Sequence, residues 1–228
     1  MSHFAVAVFH KNEEDIYDLL APYDENTKVD PYIDFTKDQA IEYAKKHVKN
    51  ADQKTEQELF DHVAQDYKDI DENGNIWTTY NPKSKWDWWV PGGRFCNFLD
   101  GRCVDEKWIE YGYSARVKDI DFSQDEETYE QCLESWDTII RGNESFYNPE
   151  YFKEYYDGRE DYARRNSNFT TMAVVTPDGE WHEVGQIGWF GTSSDTPEER
   201  KDWDCNYKAR FIDTADPDWI LTIVDCHI

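Results

Sequence analysis

The segment at 219–226, Trp-Ile-Leu-Thr-Ile-Val-Asp-Cys, is the most strand-like in the chain, and the apolar run at 4–9 also suits a buried strand. A third strand at 171–176 turns through Pro177-Asp178-Gly179 into a return strand at 180–184. Proline fixes φ in that turn and glycine accepts the left-handed position. Helices separate these runs. Thr36 with Gln39 forms a capping-box pattern that predicts a helix from about 37 to 48. A polar helix follows at 55–67, with Leu59, Phe60 and Val63 on one stripe. Ser123 with Glu126 opens a helix carrying Tyr129, Cys132, Leu133, Trp136 and Ile140, ended by Gly142. Asn148-Pro149 opens a short helix that stops near Gly158. Thr196-Pro197-Glu198-Glu199 begins another, with Trp203, Tyr207 and Phe211 on one face. Interspersed strands, hairpins and helices predict an α+β fold, a mainly antiparallel sheet with flanking helices. A single compact domain over 1–228 is expected, with a polar helical insertion at about 35–70.

Charge decides which partners suit such a fold. Asp and Glu number 49 against 24 Lys and Arg, a net charge of −25, and only 39% of residues are hydrophobic. Those values alone point to disorder, but 16% aromatic residues, ten of them Trp, point to an aromatic core. The overall field repels polyanions, so direct binding of nucleic acid or an anionic membrane is not expected. No apolar run approaches the roughly 20 residues of a membrane span. The N-terminus has no basic region or cleavage site, and the cysteines Cys96, Cys103, Cys132, Cys205 and Cys226 form no C-x-x-C pair. Free thiols in a reducing cytoplasm are the expectation.

The acidity is uneven. Residues 83–118 hold seven basic residues (Lys83, Lys85, Arg94, Arg102, Lys107, Arg116, Lys118) against five acidic ones (Asp87, Asp100, Asp105, Glu106, Glu110). The segment is therefore +2 inside a −25 protein, and it carries four of the ten tryptophans. Near its start lies Lys85-Trp86-Asp87-Trp88-Trp89-Val90-Pro91-Gly92-Gly93-Arg94. An extended backbone there puts Trp86 and Trp88 on one face, with Asp87 and Trp89 on the other. Pro91-Gly92 suits the centre of a type II turn, and Gly93 permits a close backbone approach. Aromatic faces beside Arg94 and the Gly92-Gly93 amides suit a base-plus-phosphate ligand. The plainer alternative makes the tryptophans core and pairs Arg94 with Asp87 or another carboxylate. A second ligand-binding candidate is Gly188-Trp189-Phe190-Gly191, where glycines bracket Trp189 and Phe190; core packing of both rings is its alternative.

Strand alternation places Asp225 and His227 on one face and Cys226 on the other, so Asp225 can orient His227 as a general base. A structural Asp–His hydrogen bond is the competing reading, and no nucleophile partner is identifiable. Asp69-Ile70-Asp71-Glu72-Asn73-Gly74-Asn75-Ile76 matches the first eight positions of an EF-hand loop, but the twelfth is Tyr80 and not Glu, which favours an Asx-rich turn. The histidines His3, His10, His47, His62, His182 and His227 show no metal-binding spacing, and there is no phosphate-binding glycine loop, so no metal or cofactor is expected.

Met1-Ser2-His3-Phe4, Leu20-Ala21-Pro22-Tyr23-Asp24-Glu25-Asn26, Tyr32-Ile33-Asp34-Phe35-Thr36-Lys37, the Tyr80-to-Arg94 block and the Val224-Asp225-Cys226-His227-Ile228 end resemble a family of phage and prophage proteins of no settled biochemical function. The resemblance runs from end to end. Where members commonly carry Gly-Gly-Arg-Trp, this chain has Phe95, which keeps a ring and loses an indole N–H. It implies a phage setting in the host cytoplasm, where small non-virion proteins often counter host defence. Three functions follow as expectations. The first is capture of a small anionic, nucleotide-derived signal by the aromatic/Gly-Gly-Arg segment without turnover. The second is an acidic nucleic-acid mimic that occupies the groove of a basic host nuclease. The third is a hydrolase using Asp225 and His227.

Overall fold

The structure, a computed structural model, describes residues 2–103, 112–142, 148–187 and 192–228. The first half holds β1 (His3–His10), α1 (Asp15–Leu20), β2 (Tyr32–Phe35), α2 (Lys37–His47), α3 (Glu56–Ala64), β3 (Asp69–Ile70), β4 (Ile76–Thr78) and β5 (Trp88–Pro91). The second holds β6 (Ser114–Arg116), α4 (Gln124–Arg141), α5 (Pro149–Tyr155), α6 (Arg159–Ser167), β7 (Ala173–Val175), β8 (Trp181–Glu183), α7 (Pro197–Tyr207) and β9 (Ile220–His227). The class is α+β, with a mostly antiparallel sheet and flanking helices.

The chain divides into two compact units, one of Met1–Pro22 with Lys85–Ile228 and one of Tyr23–Ser84. The polar insertion expected at about 35–70 falls inside the second unit, which is wider and has its own sheet, in the order β2-β4-β3. Ala40, Ile41, Ala44, Leu59, Phe60, Val63 and Ile76 form that unit's buried core. Full capping boxes, Thr36 with Gln39 and Thr55 with Glu58, start its two helices. The EF-hand-like stretch is a β3–β4 turn. Asp71 accepts hydrogen bonds from Asn73 N, Asn75 N, Asn75 Nδ2 and Trp77 Nε1. Those bonds, the Asn75 side chain's foremost, hold its pKa down at about 2. A carboxylate so occupied closes an Asx turn.

In the first unit the strands run β5-β9-β1-β7-β8, and β6 joins the same flank of β9 as β5. Only the β1–β7 pairing is parallel. β1 and β9 pair along eight residues, from His3 opposite His227 to His10 opposite Ile220. Residues 4–9 are buried on both faces, as are 220–226, which is why these runs read as continuously apolar. One face carries Ala5, Ala7, Phe9, Leu221 and Ile223, covered by Trp203, Tyr207 and Ile212. Tyr207 is fully buried and its hydroxyl meets that of Thr171 at 2.7 Å. Asn148 caps α5, Thr196 caps α7 with Glu199, and Gly142 ends α4 in the left-handed region, all as expected. Ser123 does not cap α4 through its side chain; its own amide is instead held by the Asp121 carboxylate at 2.8 Å.

The opposite face carries a buried polar chain. Ser114 and Thr222 hydroxyls meet at 2.7 Å, and Thr222 Oγ1 lies 2.8 Å from His10 Nε2. His10 Nδ1 donates to the Asn12 carbonyl at 2.8 Å, so Nε2 accepts from Thr222. Burial is the largest influence on His10 and holds its pKa below the ordinary imidazole value, against the Asn12 carbonyl, Asp15 and Glu13. The folded state therefore favours neutral His10. Its contribution is complete above the unfolded value of about 6.5 and is lost as pH falls below it, because the unfolded chain takes up the proton first. Urea denaturation at several pH values should show a loss of stability between about pH 7 and 5 that is smaller in His10→Gln. An unchanged slope in that variant would contradict the assignment.

Candidate functional site

Register brings the site together at one end of the sheet. His3 lies opposite His227, and Trp88 lies opposite His227 on its other side, so three strands place these side chains in one row. Residues opposed across a ladder share a face at about 4.5–5.5 Å. The His3 and His227 rings are 5.0 Å apart and edge-on, and Trp88 stacks on His227 at 5.1 Å and 16°. Trp88 also meets His3 edge-on at 5.3 Å. In the next row on this face, Ala5 and Val90 flank Asp225.

Each imidazole has its own carboxylate. His3 Nδ1 donates to Asp225 Oδ1 at 2.8 Å, and His227 Nδ1 donates to Asp87 Oδ1 at 2.6 Å. Asp225 and His227 do share a face, but Asp225 does not orient His227: it holds His3, while Asp87 reaches His227 from the chain entering β5, where its amide donates to the His227 carbonyl at 3.0 Å. Carboxylates at both Nδ1 atoms fix the tautomer in which a neutral ring carries its lone pair on Nε2. Neither Nε2 has a partner among the described residues. Asp225 is almost wholly buried, with 2% side-chain exposure, and Asp87 is more open at 31%. His3 and His227 expose 11% and 6%.

The Gly-Gly-Arg turn serves this arrangement. Pro91 stays in β5 opposite Val224, and Gly92 bends the chain at φ 69° and ψ −71°, which is not the type II turn expected. The Gly92 amide donates to the Ile223 carbonyl, and the Arg94 amide donates to Asp225 Oδ2 at 2.9 Å. The expected phosphate cradle therefore holds an internal anion, the Asp225 carboxylate. Gly93 has φ 51°, and a Cβ there would lie 2.5 Å from Asp225 Oδ2. Only glycine fits.

Sheet register separates the remaining candidates. Trp86 and Trp88 do not share a surface: Trp86 is buried and meets Trp89, whose cross-strand neighbour Cys226 points away from the two histidines. Lys85 pairs with Glu183 at 2.6 Å on that other face. Trp88 and Asp87 thus stand at the histidine row, Gly93 and the Arg94 amide meet Asp225 in the next row, Gly92 lies beyond at Ile223, and Lys85, Trp86 and Trp89 are not at the row. Trp189 and Phe190 lie outside the described residues; their flanks Ile187 and Ser193 pair in an antiparallel bridge. Within the first unit's part of the basic segment, Lys85, Arg102, Arg116 and Lys118 are all ion-paired. Arg94 is exposed, and its guanidinium pairs with no described residue, Asp87 included.

No protein-family model, curated protein or solved structure matches the chain. Function has to be read from geometry. Among the described residues no helix is long and apolar enough to cross a membrane, and no group of three or more His, Cys, Asp or Glu side chains is placed to hold a metal ion. A cavity of about 970 Å³ between β8 and α7 is lined by Trp181, Trp203 and Phe211, among others. Its charged groups are already engaged: Glu183 with Lys85, Asp202 with Arg210, and Glu199 with Thr196. In the histidine row, by contrast, two Nε2 atoms have no partner among the described residues.

Sequence reasoning missed His3. The signal was present, since a polar ring precedes the apolar run with the same parity as Ala5 and Ala7. Its partner across the sheet was not visible. Gly93→Ala is expected to displace Asp225 and to lower stability by about 2 kcal/mol or more, from left-handed strain plus overlap. Chemical denaturation measures this, and a variant as stable as the parent would show that the turn can move away from Asp225 freely.

Proposed function

We propose that the His3–His227 row is an acid–base site acting on a small anionic, nucleotide-derived ligand. One observation carries the reading: two imidazoles 5.0 Å apart, each held at Nδ1 by a separate carboxylate, with both Nε2 atoms open among the described residues. A single oriented histidine supplies a base. Two supply a base and an acid, and that is what transfer at a phosphorus or acyl centre requires. Either imidazole takes a proton from the attacking hydroxyl while the other returns one to the leaving group. Asp87 and Asp225 stabilise the imidazolium that forms on their side. Trp88, half-exposed beside His227, offers a stacking surface, and Arg94 offers an unpaired guanidinium.

This places the hydrolase reading ahead of pure capture, because capture needs neither pair. Capture remains the second reading, and the low exposure of both rings favours it, since a tightly closed row retains a ligand more readily than it turns one over. In either form the protein would remove a nucleotide signal in the host cytoplasm, consistent with the phage setting that its sequence resembles. Competition for a basic nuclease rests on the overall charge of −25 alone and draws nothing from this site.

The test is incubation with a panel of nucleotides, followed by mass spectrometry of the products. Conversion of at least one is expected, with His3→Asn and His227→Asn each lowering kcat by about 100-fold or more. Because the two rings act as one unit, the double variant should fall little further than the worse single one. Conversion that survives both substitutions places the chemistry elsewhere. Retention of intact ligand by parent and variants alike establishes capture in its place.

A further inference from the structure

Resting on the acid–base reading, we infer that the ligand is a phosphodiester and not a phosphate monoester or polyphosphate. Local charge carries this. Two carboxylates, Asp87 and Asp225, stand directly behind the imidazoles. Asp225 also occupies the Arg94 amide, a donor that a second phosphate charge would otherwise use. Of the first unit's basic segment, the one cation left unpaired among the described residues is Arg94; Lys85 pairs with Glu183, Arg102 pairs with Asp125, and Arg116 and Lys118 share Asp218. One guanidinium balances one negative charge. The protonated ring is already offset by the carboxylate behind it, so a monoester dianion brings a second charge towards two carboxylates in a protein of net charge −25, with no further unpaired cation among the described residues of this segment. A diester also has what two histidines are needed for: an ester oxygen that must be protonated as it leaves.

One neutral imidazole removes a proton from water as the water oxygen bonds to phosphorus. The ester P–O bond breaks, and the other ring, protonated at the outset, gives its Nε2 proton to the departing oxygen. Water is consumed, and an alcohol and a monoester form. The proton has moved from one imidazole to the other, and exchange with solvent resets the pair. The monoester forms as a monoanion and gains its second negative charge when its remaining phosphate proton, of pKa about 6, passes to solvent; that charge beside Asp87 and Asp225 favours release. Trp88, at 43% exposure and edge-on to His3, supplies a surface on which a base next to the scissile phosphate can stack.

Two probes separate this inference from the reading it rests on: ApA, a dinucleoside phosphodiester, and AMP, the matching monoester. Binding is measured by calorimetry on His3→Asn, in which turnover is expected to be slowed about 100-fold or more, and conversion by mass spectrometry on the parent. ApA is expected to bind at least about tenfold more tightly than AMP, and Arg94→Ala to remove at least about tenfold of that affinity. Because Arg94 is exposed, melting of Arg94→Ala should match the parent and exclude misfolding as the cause. AMP bound or converted as well as ApA overturns the phosphodiester inference and leaves the acid–base site standing. ApA bound preferentially and left intact by the parent supports the ligand class and overturns the acid–base chemistry. Neither probe bound nor converted overturns both.

Discussion

A carboxylate buried at the end of a sheet organises this protein. Moving an ion out of water costs several kcal/mol unless its oxygens are met, and removing a partner from a buried pair costs a similar amount. Asp225 meets that demand at both oxygens, with His3 Nδ1 on one and the Arg94 amide on the other. The first bond requires β1 and β9 to pair in full register, so that His3 falls opposite His227. The second requires the chain leaving β5 to turn at Gly92 and pass over Asp225 at Gly93. The sheet, the turn and the orientation of one imidazole thus follow from one group. Asp87 repeats the device for the second imidazole from a more open position.

The distribution of charge acquires a different meaning in this light. The +2 segment inside a −25 chain first reads as an anion-binding island. In the folded unit most of it is consumed: Lys85 ties the segment to β8, Arg102 ties it to α4, and Arg116 with Lys118 meets Asp218 before β9. Among the described residues of this segment in the first unit, the cation left without an ion-pair partner is Arg94.

Much of the fold was legible in the residues. Continuous apolar runs became β1 and β9, the Pro177-Asp178-Gly179 turn joins β7 to β8, and Thr36, Asn148 and Thr196 cap the helices that follow them. Local signals succeeded because each concerns residues a few positions apart. The site was legible only in pieces. Alternation put Asp225 with His227 on one face, and the Trp-Asp-Trp block was singled out, yet neither reveals which strand lies beside which. Asp225 therefore seemed to belong to its neighbour in sequence when it belongs to His3 across the sheet, and the glycine-rich turn seemed open when Asp225 fills it. Trp86 was placed with Trp88 by a simple alternation that fails because β5 begins only at Trp88. An aspartate inside an otherwise apolar run was the clue that carried furthest, since such a group demands partners that the chain must bring to it.

Two separate carboxylates hold two imidazoles at Nδ1 and leave both Nε2 atoms without a partner among the described residues. Long-range nitrogen NMR correlations of the histidine rings read this directly, because the two tautomers of neutral imidazole have distinct patterns. His3 and His227 should both be protonated at Nδ1 when neutral. Asp225→Asn should alter the pattern of His3 while His227 keeps its own, and Asp87→Asn should do the reverse. Protonation at Nε2 in either ring, or a single substitution that releases both rings alike, would contradict two independent Asp–His pairs.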